Sequence, residues 1–146
     1  MQQKIIWIVV LTFGILISFQ SCKKNTDGVS IEEFYYINNS DYDIVINAFN
    51  NTDSGYIGNT YNLPVNGDFS QEIESMFGSK TGVVALCDSV SVVFGSNRIE
   101  HFLPNTESFF NILNHNNYEY FKKDKNHNSY TYSFTNDDYE NAIDME

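Results

Sequence analysis

From Ile31 onward, apolar and polar residues alternate in short runs, the period-two pattern of strands that bury one face. Tyr130, Tyr132 and Phe134 fall on one face of such a run, with Thr131 and Ser133 on the other. Ile44, Ile46 and Ala48 likewise oppose Val45, Asn47 and Phe49. The turn cluster Asn38-Asn39-Ser40-Asp41 separates Glu33–Ile37 from Asp43–Phe49, and the pair reads as a hairpin. Asn50 to Asn59 reads as a polar loop, followed by a short strand at Tyr61–Leu63 that Pro64 and Asn66-Gly67 end. Phe69 to Met76 suits an edge strand.

Val83 to Phe94 is the most β-rich stretch, interrupted at Asp88-Ser89. Gly95-Ser96-Asn97 then turns the chain into Arg98–Phe102, a second hairpin. Ser108–Leu113 suits a short helix or turn, and a third strand pair flanks the polar turn from Lys123 to Asn128. Thr135 can cap a terminal helix over Asn136 to Ala142, with Asp137 and Asp138 at its positive end. The expected fold is all-β: an antiparallel sandwich of seven or eight short strands with one or two short helices.

The first 21 residues follow another pattern. Met1-Gln2-Gln3-Lys4 is a short basic start, and Ile5 to Phe19 is almost wholly apolar. Fifteen residues are too few to span a bilayer comfortably, and they suit the core of a signal peptide. Phe19-Gln20-Ser21-Cys22 resembles a lipobox, which implies cleavage before Cys22 and acylation of its thiol. Phe19 and Gln20 depart from the commonest lipobox residues, whereas Ser21 fits. Residues 22–30 read as a flexible tether and 31–146 as one β-rich domain. Lys23 stands where enterobacterial lipoproteins retained at the inner membrane carry Asp, so by analogy the outer membrane is expected. Lys23-Lys24 replaces the acidic run of surface-displayed lipoproteins, and the facing side of the membrane stays open.

Composition adds three constraints. Aromatic residues make up 16% of the chain, which argues against disorder. The net charge is -11, and loss of Lys4 on cleavage would make it -12. Such a surface repels phosphate, so nucleic acid is not an expected partner. Cys22 and Cys87 are the two cysteines, so lipidation of the first leaves Cys87 without an intramolecular partner. Its apolar surroundings predict a small buried thiol.

Several segments together resemble small lipoproteins of the Bacteroidetes. They are the Ser21-Cys22 ending of the leader, Ile37–Ile44, Asp88–Phe94, Asn111-Ile112-Leu113, and the distinctive Tyr130–Ala142. The likeness runs roughly from Ile31 to Ala142, and it implies a lineage and an exported compartment. It implies no reaction, so no catalytic residue carries over. Asp88-Ser89-Val90 also resembles the Asp-Ser/Thr-apolar sites of O-glycan attachment in that group, but triads this short recur by chance.

Catalytic chemistry finds little support. His101, His115 and His127 lack the spacing of a zinc helix, and no cysteine-pair motif accompanies them. Asp41-Tyr42-Asp43 and Asp53-Ser54-Gly55 offer oxygens to calcium but lack the spacing of an EF-hand loop. No nucleophile elbow or phosphate-cradling glycine loop is present. The stripe Tyr130, Tyr132, Phe134 is read as core rather than as a sugar-stacking platform, and Trp7 leaves with the leader. The expectation is therefore a non-catalytic lipoprotein without a cofactor or metal. It would be held to the cell envelope through Cys22 and bind an envelope protein or a glycan. The alternative is a glycan-acting hydrolase using two of the 19 acidic residues.

Overall fold

The computed structural model describes residues 29–52, 55–74, 83–104, 106, 108 and 110–145. Among the described residues nine strands form: β1 (Ile31–Asn38), β2 (Ile44–Thr52), β3 (Gly55–Leu63), β4 (Asp68–Glu74) and β5 (Ser89–Phe94) come first. β6 (Arg98–Phe102), β7 (Glu119–Asp124), β8 (His127–Phe134) and β9 (Ile143–Asp144) follow, with the helix α1 (Asn136–Asn141) before β9. One sheet has the order β4-β1-β8-β7 and the other β3-β2-β5-β6-β9. The all-β sandwich expected from the alternation is present, with nine strands rather than seven or eight.

The buried positions are the alternating ones. Phe34, Tyr36, Tyr132 and Phe134 of the first sheet face Ile44, Ile46, Val90, Val92 and Phe94 of the second, all in one core. Phe94 and Phe134 meet edge-on at 6.2 Å between ring centres, a favoured aromatic geometry. Each such side chain buried contributes about 1.5–3 kcal/mol relative to exposure. The hairpins at Gly95–Asn97 and at Lys125-Asn126 form as expected. Gly95 has φ +57°, a left-handed conformation that a Cβ would strain.

Four expectations are corrected. First, β1 and β2 do not pair. β1 lies between β4 and β8, and β2 between β3 and β5, so Asn39–Asp43 carries the chain from one sheet to the other. Second, β1 and β8 run parallel, so the sandwich is not wholly antiparallel. Third, Asn50 to Asn59 is largely strand, because β2 and β3 stay paired out to Thr52 and Gly55. Cross-strand hydrogen bonds hold this stretch although its side chains are polar. Fourth, Val83–Leu86 is not strand. A 3-10 turn over Val84–Leu86 lays Val84 and Ala85 on the core, and Tyr36 accepts the Ala85 N–H at 3.1 Å.

Asn38 explains the first correction. Its side chain is fully buried and donates to the carbonyls of Tyr42 (2.8 Å), Leu63 (3.1 Å) and Pro64 (3.1 Å). Its Oδ1 accepts from the Ser40 N–H at 3.0 Å and the Ser40 hydroxyl at 2.7 Å. The corner between the sheets is thus built around one amide. The terminal helix is fixed at both ends. Asp138 Oδ2 accepts from the Thr135 N–H (2.7 Å) and hydroxyl (2.8 Å), closing a capping box. Arg98 donates to the carbonyls of Tyr139 (2.9 Å) and Glu140 (3.1 Å), placing a cation at the helix's negative end.

Replacing Asn38 by leucine leaves several buried polar groups without partners. Urea unfolding of N38L is expected to show a loss of about 3 kcal/mol or more; a loss below about 1 kcal/mol would contradict this role.

Candidate functional site

The expected lipidation site Cys22, with the leader and most of the tether, lies outside the described residues, as do Asp53 and Ser54. Cys87 is buried and donates to the Val83 carbonyl at 3.2 Å, while the Asn50 amide donates to its sulfur at 3.2 Å. The aromatic stripe divides as a core strand does: Tyr132 and Phe134 are buried, and Tyr130 stacks on Phe34 at 5.1 Å. Asp41 and Asp43 act as turn acids, accepting from Asn136 Nδ2 (2.8 Å) and the Val65 N–H (3.0 Å) respectively. Asp88 accepts the Asn51 N–H at 2.7 Å at the start of β5. The histidines are separated: His101 is on β6, His115 precedes β7 and His127 opens β8. Among the described residues, no group of three or more His, Cys, Asp or Glu gathers as a metal site.

Two polar clusters emerge that spacing did not reveal. On the outer face of the first sheet, Glu33 accepts from Tyr35, Lys123 and, at 3.2 Å, His127 Nε2. The bond from Lys123, then that from Tyr35, holds the Glu33 carboxyl below its ordinary value against the cost of its burial. Inside the sandwich, Tyr132 donates toward the Phe110 carbonyl (2.6 Å) and Asp138 Oδ1 (3.1 Å). Glu100 lies near this group, with Oε2 buried and without a hydrogen-bond partner among the described residues. Burial, then the Asp138 charge, raises its pKa. Both Asp138 oxygens are engaged, one with Tyr132 and one in the helix cap, so its first role is structural.

Two concavities are found among the described residues, and the smaller of them adjoins the Tyr132–Asp138 cluster. A cleft of about 400 Å³ lies beside the second sheet, lined by Phe49, Ser91, His101 and Leu103 among others. Ser91 stands opposite His101 across β5 and β6, yet its Oγ bonds to the Asn47 amide instead (3.5 Å). A smaller hollow of about 250 Å³ is lined by Phe110, Tyr132, Thr135 and Asp138.

β7 is exposed along its whole length. All six of its residues, from Glu119 to Asp124, are exposed, and the strand forms one edge of its sheet. Tyr120 is 58% exposed and Phe121 66%. Adjacent residues of a strand point to opposite faces, so Tyr120 and Phe121 cannot both face the core. The pair Tyr-Phe followed by Lys-Lys was the readable signal of this edge, obscured because Tyr118 and Tyr120 share a face. Tyr120 keeps its place by donating to Asn128 Oδ1 at 3.0 Å.

Comparison with protein-family models, with curated proteins and with solved structures gives no match.

The two shifted carboxyls act on stability with opposite signs. Glu33 binds its proton less tightly when folded, so its contribution is full well above the ordinary value of 4.5 and is lost as pH falls through the folded value. Glu33→Gln is expected to flatten the acid limb of the stability curve; an equally steep limb would refute it. Glu100 binds its proton more tightly when folded, so its contribution is full below 4.5 and is lost as pH rises through the folded value. Thermal unfolding of E100Q at pH 7 is therefore expected to rise by about 3 °C with little change near pH 4; a fall at pH 7 would count against it.

Proposed function

We propose that this chain is a non-catalytic lipoprotein of the cell envelope, held at the outer membrane through acylated Cys22. Its β domain presents the β7 edge to an envelope protein or glycan. The observation that carries this reading is the exposure of all of β7, with Tyr120 and Phe121 exposed on its two faces. An edge strand offers unpaired backbone groups, and exposed aromatics add apolar area to a contact. Such a strand is a template for pairing with a further strand. The apolar leader and Ser21-Cys22 support the anchor. Among the described residues, no helix is long and apolar enough to cross a membrane. From Cys22 to Ile31 the chain reaches at most about 30 Å, which keeps the domain close to the bilayer surface.

Metabolic labelling with a clickable palmitate analogue tests the anchor: wild type is expected to take up label and Cys22→Ala to lose it. Equal labelling of the two would overturn the anchor. Retention of envelope components by the full chain tests the edge. Tyr120→Ser with Phe121→Ser is expected to abolish specific retention while the unfolding midpoint moves little, since both side chains are largely exposed. Retention equal to wild type would overturn the edge.

A further inference from the structure

The two sheets differ in the charge they show to solvent. On the outer face of the first, Glu33 and Glu72 lie level on β1 and β4, and Lys123 reaches Glu33. On β2 of the second, Ile44, Ile46 and Ala48 are buried, so Val45, Asn47 and Phe49 turn away from the core. The registers extend each of these positions into a row. Val45 is level with Val93, Ile99 and Ile143, and Asn47 with Thr60, Ser91 and His101. Phe49 is level with Gly58 and Ser89. None of the three rows holds an Asp, Glu, Lys or Arg, although the chain carries 19 acidic and 8 basic residues. Charged side chains are costly to strip of water, so a face without them is the cheaper one to cover.

The cleft of about 400 Å³ opens on this face, within the range of about 300–1,000 Å³ common to small-ligand sites. Ser89 and Ser91 on β5 lie at its middle, with Phe49 toward β2 and His101 and Leu103 toward β6. Both sides are built. The fully buried Asn111 amide donates to the carbonyls of Leu103 (2.9 Å) and Thr106 (2.7 Å), fixing the turn that forms one wall. Opposite, the Phe49 ring packs on Gly58, where a Cβ would come within 3.2 Å of Cδ1 and Cε1. Ser91 is only 7% exposed. Its oxygen accepts from the Asn47 amide, whose Oδ1 in turn accepts the Thr60 hydroxyl at 2.9 Å. The Ser91 hydroxyl proton has no acceptor among the described residues. A buried donor is therefore left unspent at the cleft.

We propose that this cleft binds a neutral sugar ring of an envelope glycan. A pyranose carries C–H groups on its faces and hydroxyls around its rim. Phe49 and Leu103 offer apolar surface to the faces. The hydroxyls of Ser91 and Thr106 and the His101 ring nitrogens offer donors and acceptors to the rim. Other occupants fit less well. An acyl chain would expel water from those polar groups and replace none of its hydrogen bonds. An anionic sugar or a phosphate finds no Lys or Arg in the lining and meets a chain of net charge -11. A peptide strand finds no open backbone here, because β2, β5 and β6 are paired on both sides. The site lies on the other sheet from β7 and stands independently of the edge reading.

The test follows the full chain, in a non-ionic detergent, through native gels that contain mannan, laminarin, dextran or galactan. A polygalacturonate gel is the anionic comparison. Retardation is expected in at least one neutral gel and not in polygalacturonate. Leu103→Asp sets a charge in the wall and is expected to abolish the retardation. Ser91→Ala is expected to weaken it about fivefold, and His101→Ala to weaken it as well. Leu103 and His101 are exposed, so variants there are expected to unfold at the wild-type midpoint and carry the test if Ser91→Ala folds poorly.

Migration unaltered by all four neutral polysaccharides, retardation by polygalacturonate alone, or retardation undiminished in Leu103→Asp and His101→Ala would overturn the inference. Retention at the β7 edge is read separately, through Tyr120→Ser with Phe121→Ser, so either reading can fail without the other.

Discussion

The architecture turns on the buried side-chain amide of Asn38. It stands at the end of β1, where the chain must leave one sheet and enter the other. An asparagine amide has two N–H donors and an acceptor oxygen with two lone pairs. Here the donors serve the carbonyls of Tyr42, Leu63 and Pro64, and the oxygen takes the Ser40 N–H and hydroxyl. One side chain therefore ties the β1–β2 corner to the end of β3. The Asn38 backbone adds to this by donating to the Gly67 carbonyl at 2.9 Å and accepting the Asn66 N–H at 3.1 Å. Buried backbone groups at a crossing corner have no ladder to join, and each left unpaired costs about 1–3 kcal/mol.

That corner decides which strands become edges. Because β1 is not spent on β2, both its sides are free, and β4 and β8 take them. The parallel β1–β8 pair then lies at the centre of its sheet, with β4 and β7 outermost. The exposed aromatics of β7 and the exposed carboxylates of β4 are consequences of this order. The same sheet places Glu33 where His127 reaches it from the neighbouring β8 and Lys123 from β7 beyond. The functional proposals therefore draw on the topology as much as on residue type.

Buried tyrosines serve the irregular segments as Asn38 serves the corner. Tyr36 accepts from the 3-10 turn at Ala85, Tyr118 donates to the Ile112 carbonyl at 2.6 Å, and Tyr132 donates toward Phe110. Burial raises the pKa of all three, so each stays a neutral hydroxyl. Each ring fills core volume while its hydroxyl satisfies a backbone group from a loop. The Tyr130–Ala142 segment is built largely from such packing. Tyr132 and Phe134 are core, Asp138 caps the helix, and Tyr139 stacks on Tyr42 at 3.7 Å.

Alternation along Ile44–Phe49 and Tyr130–Phe134, the turns at Gly95 and Asn126, and the Thr135 cap were legible in the residues themselves. Each depends on neighbours within a few positions, which local propensity and periodicity encode. The all-β class and the buried state of Cys87 followed from the same information. Strand partners did not follow, because the hydrogen bonds that select them join residues distant in sequence, such as Ile31 with His127. Periodicity tells which face of a strand is buried; it is silent on which edge is covered. Only the assembled sheets placed β1 inside and β7 outside, and gathered Glu33, Lys123 and His127 from both ends of the domain.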